Sequence, residues 1–352
     1  MKEITIIKPD DWHLHLREGL ILKNIIKFSS DVFHRAVIMP NTKIPITSID
    51  QAKTYRNSIF AALPKDANFN PLMTIYLTEN ISENELENGY KNNIFFAAKL
   101  YPANTTTNSS YGVKNIKNIY KIFGLMEKIN MPLLIHGEVS DTNVDVFDRE
   151  EVFIDRELVP IIKSFPKLKI VLEHITTSYA VNFVRDNNIG ATITPHHLHI
   201  NRNAMFLEGL NSDFYCLPVA KRESNRVSLI KAATSGEECF FLGTDSAPHL
   251  RQWKAFCGCA GIFNAPVALA SYLKVFEEES ALDKFEKFAS LNGPKFHNLS
   301  PNHEKITFIK EPYEIKDFIE IKDKNKVKGK IKSFHSKEIL NWKIKNNQFL
   351  SI

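Results

Sequence analysis

The chain of 352 residues carries a formal charge of +5 and 43% apolar residues. That length allows two domains or one α/β barrel, and such a chain buries a core without disulfide staples. Much of the Lys excess sits in the run KDKNKVKGKIK near the C-terminal end, which reads as a solvated surface, so the charge balance gives no sign of a nucleic-acid binder. The opening MKEITIIKPDDW has too short an apolar run for a signal peptide, and no stretch reaches the 18 or so apolar residues of a membrane span. A reducing cytoplasm is therefore the expected compartment. Cys216, Cys239, Cys257 and Cys259 lack disulfide-framework spacing, and CGC (257–259) reads as a tight glycine turn rather than a soft-metal site.

Short β-rich runs recur along the chain, each followed by a longer helical or polar segment. The runs Trp12–Leu16, Arg35–Met39, Leu72–Leu77 and Phe95–Leu100 read as the first four strands. Pro132–His136, Lys169–His174, Ala191–Thr194 and Cys239–Thr244 read as four more. Helices are expected at Ile116–Lys128, Val152–Lys163 and Ser178–Arg185. FFAA, PLLI and KIVL are continuous rather than alternating, as parallel strands buried on both faces require. Eight such strands with intervening helices predict a (β/α)8 TIM-type barrel, and no glycine-rich phosphate loop follows any strand to favour an open nucleotide-binding sheet. The whole of 1–352 is read as one barrel domain, with 301–352 a Lys-rich extension whose KITFI (305–309) and KVKGKIKSF (326–334) form strands packed on it.

In DDWHLHLRE (10–18), residues two apart share one strand face at ~6.5–7 Å, so His13, His15 and Arg17 are expected to point together, away from Trp12, Leu14 and Leu16. Alone, that is a strand with a polar face. But Lys99, His136 and His174 also end strands, and Asp245 follows the last one. In a (β/α)8 barrel all carboxyl ends open on one mouth, where such enzymes carry their chemistry. Four imidazoles and a carboxylate suit zinc, and six donors exceed one tetrahedral ion, so two ions are expected. Neutral histidines and one aspartate leave most of their charge unbalanced. A carbamate formed from Lys99 and CO2 would supply a bridging anion, provided nearby cations lower the amine's pKa.

The blocks HLHLR, MPNT (39–42), AAKLYPANTTTNSS (97–110), PLLIHGE (132–138), EHIT (173–176), YCLPVAKR (215–222), GTDSAPH (243–249), CGCAG (257–261) and NGP (292–294) together resemble the single-domain bacterial dihydroorotases of the amidohydrolase superfamily. The resemblance runs in order from about residue 8 to 300 and is looser beyond. It implies two Zn2+ per chain bridged by carboxylated Lys99, with His13, His15 and Asp245 on one ion and His136 and His174 on the other. Asp245 would also be the catalytic proton carrier. Arg17, Asn41 and His249 would bind a substrate carboxylate, and backbone groups of Leu217 and Ala260 would read a pyrimidine ring; His15 and His136 would also touch substrate. Thr106 and Thr107 would reach that carboxylate from a mobile lid, YPANTTTNSSYG (101–112).

The implied reaction is the reversible cyclisation of N-carbamoyl-L-aspartate to dihydroorotate in pyrimidine synthesis, carried out by a homodimer. In TPHHLHINRN (194–203), His196 departs from the family pattern, His197 follows it and His199 stands outside it; His196 is not expected to add a metal ligand. Glu138 and Glu173 read as groups that orient the neighbouring histidines or as helix-start acids. The rivals are another binuclear cyclic-amide hydrolase such as a hydantoinase or allantoinase, a mononuclear deaminase, and an inactive dihydroorotase-like partner protein.

Overall fold

The apolar runs become strands that lie side by side in chain order, because each is followed by a helix that carries the chain back to the same edge. The computed structural model describes residues 2–207 and 209–345. Strand β1 (Glu3–Ile7) precedes the barrel. Then come β2 (Asp11–Leu14), β3 (Arg35–Ile38), β4 (Asn70–Tyr76), β5 (Ala97–Leu100), β6 (Leu133–His136), β7 (Ile170–Glu173), β8 (Gly190–Ile193) and β9 (Phe240–Leu242). These eight form one parallel sheet in the order β2 to β9, each paired with the next. Every strand expected from the sequence is present, and the fold is a (β/α)8 barrel.

The seam between β9 and β2 is closed differently. Asp245 N–H donates to the His13 carbonyl at 2.9 Å, and a single bridge joins Leu14 to Ser246. Below them the buried Asp11 carboxylate accepts the backbone N–H groups of His13 (3.1 Å) and Thr244 (2.8 Å). One side chain thus ties the two strand ends that carry His13 and Asp245.

Two apolar layers follow from the two-residue period of the strands. Ala98, Leu100, Leu133, Ile135, Ile170, Leu172, Ala191 and Ile193 belong to the main cluster, packed against helices such as Tyr120–Ile129 and Ser178–Asp186. The alternate residues Val37, Ala97, Leu134, Val171 and Phe241 form a separate cluster with Trp12 inside the barrel. One pleat further, the same inner faces present Lys99, His136 and Glu173. The apolar plug fills the barrel's lower half, and its mouth is left to polar groups.

The expected alternation around His13 is corrected here. Asp11 pairs with Ala36 but Leu14 with Ile38, so β2 holds one residue more than β3 over this stretch. This bulge turns Trp12 inward onto the inner cluster, whereas Leu14 and Leu16 join the outer one. Trp12 stacks on His297 at 4.5 Å, and a Cβ on Gly293 would fall 1.9 Å from its Nε1. The glycine of NGP is therefore imposed by the indole.

The expected helices at Ile116–Lys128, Val152–Lys163 and Ser178–Arg185 are found. The first begins with a 3-10 turn, Ile116–Ile119, and the second contains a π-helical turn, Ile154–Leu158. After the barrel, β10 (Lys305–Glu314) lies between β1 and β13 (Ile339–Ile344), while β11 (Phe318–Asp323) and β12 (Lys326–Lys332) form a hairpin. Trp342 and Phe308 from this region are fully buried in the main cluster. Among the described residues no helix is long and apolar enough to cross a membrane.

Candidate metal centre and ligand pocket

The chain bends sharply at three of the strand ends that carry polar residues to the mouth. Arg17 (φ 56°), His174 (φ 43°) and Asp245 (φ 44°) all hold left-handed backbone, which non-glycine residues rarely adopt and which surrounding structure must enforce. At His174 the enforcement is visible. Its N–H donates to Thr192 Oγ1 at 2.7 Å, and the buried Glu150 carboxylate accepts the N–H and hydroxyl groups of Thr176 and Thr177. Thr177 then caps helix Ser178–Asp186 by accepting from Ala180 N–H. Near Asp245, Gly243 leaves room for its neighbours, since a Cβ there would meet Thr192 at 2.7 Å and His13 at 3.2 Å.

The six expected donors are all buried at this mouth, with Lys99 fully inaccessible. His13 Nε2 and His15 Nε2 lie 3.2 Å apart, and Asp245 Oδ1 lies 3.3 and 3.1 Å from them. An ion with ~2.1 Å bonds in a tetrahedron separates its ligand atoms by ~3.4 Å, so this triangle fits one divalent cation. The His13 and His174 rings stand 5.0 Å apart and those of His136 and His174 4.9 Å. His174 Nδ1 is buried with no hydrogen-bond partner, a second sign that the arrangement suits a cation. His13, Glu173 and His174 form a further cluster of potential metal-binding atoms.

The electrostatics also favour bound positive charge. Burial would lower the His13 pKa, but the Glu173 and Asp245 carboxylates outweigh it and lift the group to about 9. Burial works against the Asp245 charge too, yet His13 and His15 hold this carboxyl well below its usual range. His15, with burial dominant, drops to about 4, and burial drives His174 well below the usual histidine value. Lys99 is paired with Glu173, yet burial prevails over that carboxylate and lowers the amine's pKa. Burial likewise opposes the charge on Glu173, which His13 and Lys99, in that order, hold at about 2.

Glu173 is therefore more than a helix-start acid. It occupies the inner face of β7, with Oε1 2.9 Å from His13 Nδ1. Glu138 Oε2 lies 2.8 Å from His136 Nε2. Sequence reading also missed Tyr101. Its ring centre lies 4.6 Å from Lys99 Nζ, its hydroxyl is buried without a partner, and the residue lines the pocket. The only signal was an aromatic residue directly after the Lys99 strand.

One pocket is lined jointly by His13, His15, His136, His174 and Asp245 and by Arg17, Asn41, Thr106, Thr107, Leu217 and Ala260. An adjoining cavity of ≈ 350 Å3 shares His15, Arg17, Asn41 and Thr107 and adds His249. The segment expected as a mobile lid lies over the pocket and is tied to its walls. Asn41 Nδ2 donates to the Thr107 carbonyl at 3.0 Å, Asn108 Nδ2 to the Asn41 carbonyl at 3.0 Å, and Thr107 Oγ1 to the Ala260 carbonyl at 3.3 Å.

Lys254 holds the opposite wall by donating to the carbonyls of Tyr215 (3.1 Å) and Gly261 (2.6 Å). Gly258 (φ 59°) makes the expected glycine turn, but Cys257 and Cys259 are joined across it by a disulfide, which the spacing did not predict. His197 spans Thr194 and the Pro218 carbonyl, and His199 donates towards Ser271. His196 meets Asn264 and, with His197 and Cys216, forms a separate buried cluster.

A parallel barrel whose mouth gathers imidazoles, a carboxylate and a buried lysine defines a metal-dependent hydrolase site. The amidohydrolase family pattern matches residues 4–327, and the chain belongs to that family, on its dihydroorotase branch. It is 52% identical over 347 residues to a dihydroorotase of Synechococcus sp. (strain CC9605), covering 98% of this chain and 97% of that one. The crystal structure of dihydroorotase from Campylobacter jejuni is 35% identical and superposes with a TM-score of 0.88, with 98% of each chain covered. That of dihydroorotase from Saccharomyces cerevisiae in complex with 5-fluoroorotic acid is 31% identical, also with a TM-score of 0.88, over 98% of this chain and 99% of that one. The family implies a binuclear metal site, and the histidine and aspartate groups described above can bind metal.

Proposed function

We propose that this chain is a dihydroorotase that interconverts N-carbamoyl-L-aspartate and dihydroorotate plus water. The observation that carries this reading is the joining of the donor cluster and the Arg17–Asn41–His249 group in adjoining cavities. A hydantoinase or allantoinase needs the metal donors but has no use for a carboxylate clamp. An inactive homologue would lose donors, and the presence of all six candidate residues in this chain supports the active reading.

His13, His15 and Asp245 would hold one zinc ion, His136 and His174 the second, and Lys99, carboxylated on Nζ, would bridge them. Carbamate formation needs a neutral amine, which adds to CO2 and releases one proton; the burial that lowers the Lys99 pKa favours that form. Two such ions when bound supply Lewis acidity towards the ring carbonyl and a water of lowered pKa.

The chain's own groups do the rest. Arg17 presents a planar guanidinium to the substrate carboxylate, with Asn41, His249, Thr106 and Thr107 around it. Backbone groups of Leu217 and Ala260 read the ring's amide edges. The closed lid excludes water from the reacting amide. During ring opening Asp245 takes a proton from the attacking water on its carboxylate and returns it to the leaving amide nitrogen as the C–N bond breaks; during ring closure the transfers reverse. Glu173 steadies the His13 ring through Nδ1.

The protein is proposed to work as a cytoplasmic homodimer. Metal analysis together with parallel assays on dihydroorotate and on hydantoins tests the reading. Turnover of dihydroorotate with two ions per chain supports it, and preference for hydantoins overturns it.

A further inference from the structure

The amino end of the barrel, opposite the chemistry, carries a cavity of ≈ 1230 Å3 between the starts of β3 to β7. In barrels of this type that face ordinarily serves stability rather than binding. Six cations line it, Arg35, Arg56, Lys91, Lys128, Lys167 and Lys169, against one acid, Glu87. Arg35 is committed to Asp10 and Lys91 to Glu87, each at 2.6 Å. Among the described residues, the other four have no acidic partner within 4.0 Å. Lys169 is half-buried, with Nζ 5.8 Å from the centre of the Phe296 ring, and burial lowers its pKa.

The cavity is not polar throughout. Leu72, Phe96 and Leu299 line it as partly buried apolar groups beside His297. His297 is only 8% exposed, is held flat by its stack on Trp12, and has a buried Nδ1 without a hydrogen-bond partner. Unneutralised cations gathered in one concavity repel each other, and an anion among them relieves that cost. A partly buried apolar floor formed by Leu72, Phe96 and Leu299, set beside the cations, suits a ligand that carries an aromatic ring as well as phosphates rather than bare phosphate.

We propose that this cavity binds a nucleotide, with its phosphates among Arg56, Lys128, Lys167 and Lys169 and its base on the floor formed by Phe96, His297 and Leu299. Calorimetric titration of the metal-loaded full chain with ATP, UTP and inorganic tripolyphosphate, at low and high salt, tests it. Saturable binding of at least one nucleotide is expected, weakened by salt and tighter than tripolyphosphate. Lys167→Glu and Lys169→Glu should each weaken it by about tenfold or more while dihydroorotate turnover stays unchanged, because the mouth lies at the other end of the barrel. Lys169→Gln provides the same readout should charge reversal unfold the chain. Absence of binding by both nucleotides overturns the proposal. So does affinity unmoved by these variants, or tripolyphosphate binding as tightly as either nucleotide, which identifies an adventitious ion only.

Discussion

Arg17 Nη2 lies 3.0 Å from His249 Nε2, and the same imidazole nitrogen lies 2.9 Å from the Ala260 carbonyl. Burial first, and the Arg17 charge second, push the His249 pKa down to about 2, so the ring is neutral at any working pH. A proton on Nε2 is then donated to Ala260, which leaves the guanidinium proton for an incoming anion. Arg17 Nε is fixed by the Pro248 carbonyl at 3.1 Å, so the fork is pre-aimed.

Arg17→Met removes that fork without touching a metal donor. The expected result is a fall of about 10²–10³ in kcat/KM for dihydroorotate, carried mostly by KM, with metal content unchanged. Steady-state kinetics and metal analysis on one preparation check both halves.

The lid is latched from two sides, by Asn41 at its crown and by the Ala260 carbonyl opposite. Thr107→Ala loses the second latch. Proteolysis within 103–112 should quicken, and kcat/KM should fall by about tenfold, since one hydrogen bond contributes ~1 kcal/mol and the lid also completes the pocket. Limited proteolysis with and without substrate reads the first effect.

Binding a cation at the mouth must expel the proton that Glu173 and Asp245 hold on His13. With that group near 9, it is protonated at pH 7, so metal uptake there releases protons and grows tighter as pH rises towards 9. Titrations of the metal-free chain in buffers of different ionisation enthalpy measure the proton count. Uptake with no proton release would contradict the charge balance described for His13.

Lys254 gives a pH signature of its own. Burial lowers its pKa from the usual 10.5 to about 8, against the opposing pull of Cys216 and Asp213. Between those values the unfolded chain binds more protons than the folded one, so stability should rise with pH from about 8 to 10.5. The rise is bounded by ~3 kcal/mol at 1.36 kcal/mol per unit. Lys254→Met should flatten that rise in chemical denaturation curves.

Much of this is legible in the sequence. FFAA, PLLI and KIVL marked buried parallel strands because continuous apolar runs are what two-sided burial demands, and strand-end histidines then had to share a mouth. What escaped was local backbone geometry and contacts between distant segments. The bulge in β2 depends on Asp11 bonding across the seam to Thr244, and nothing in DDWHLHL signals it. Glu173 looked like a neighbour of His174, yet the left-handed bend at His174 leaves the glutamate facing Lys99. Tyr101 could not be assigned to the pocket until the closed lid defined its walls. The opening strand β1 was too short to stand out, because its partner β10 lies some 300 residues away.

The measurement that bears most directly on the account is the chemical state of Lys99 in the metal-loaded, active protein. Reconstitution with zinc and 13C-labelled bicarbonate, followed by 13C NMR and metal analysis, should give one carbamate signal and two ions per chain. Both the signal and the second ion should be lost in Lys99→Ala. A fully active protein carrying two ions with an unmodified amine at position 99 would contradict the bridging role.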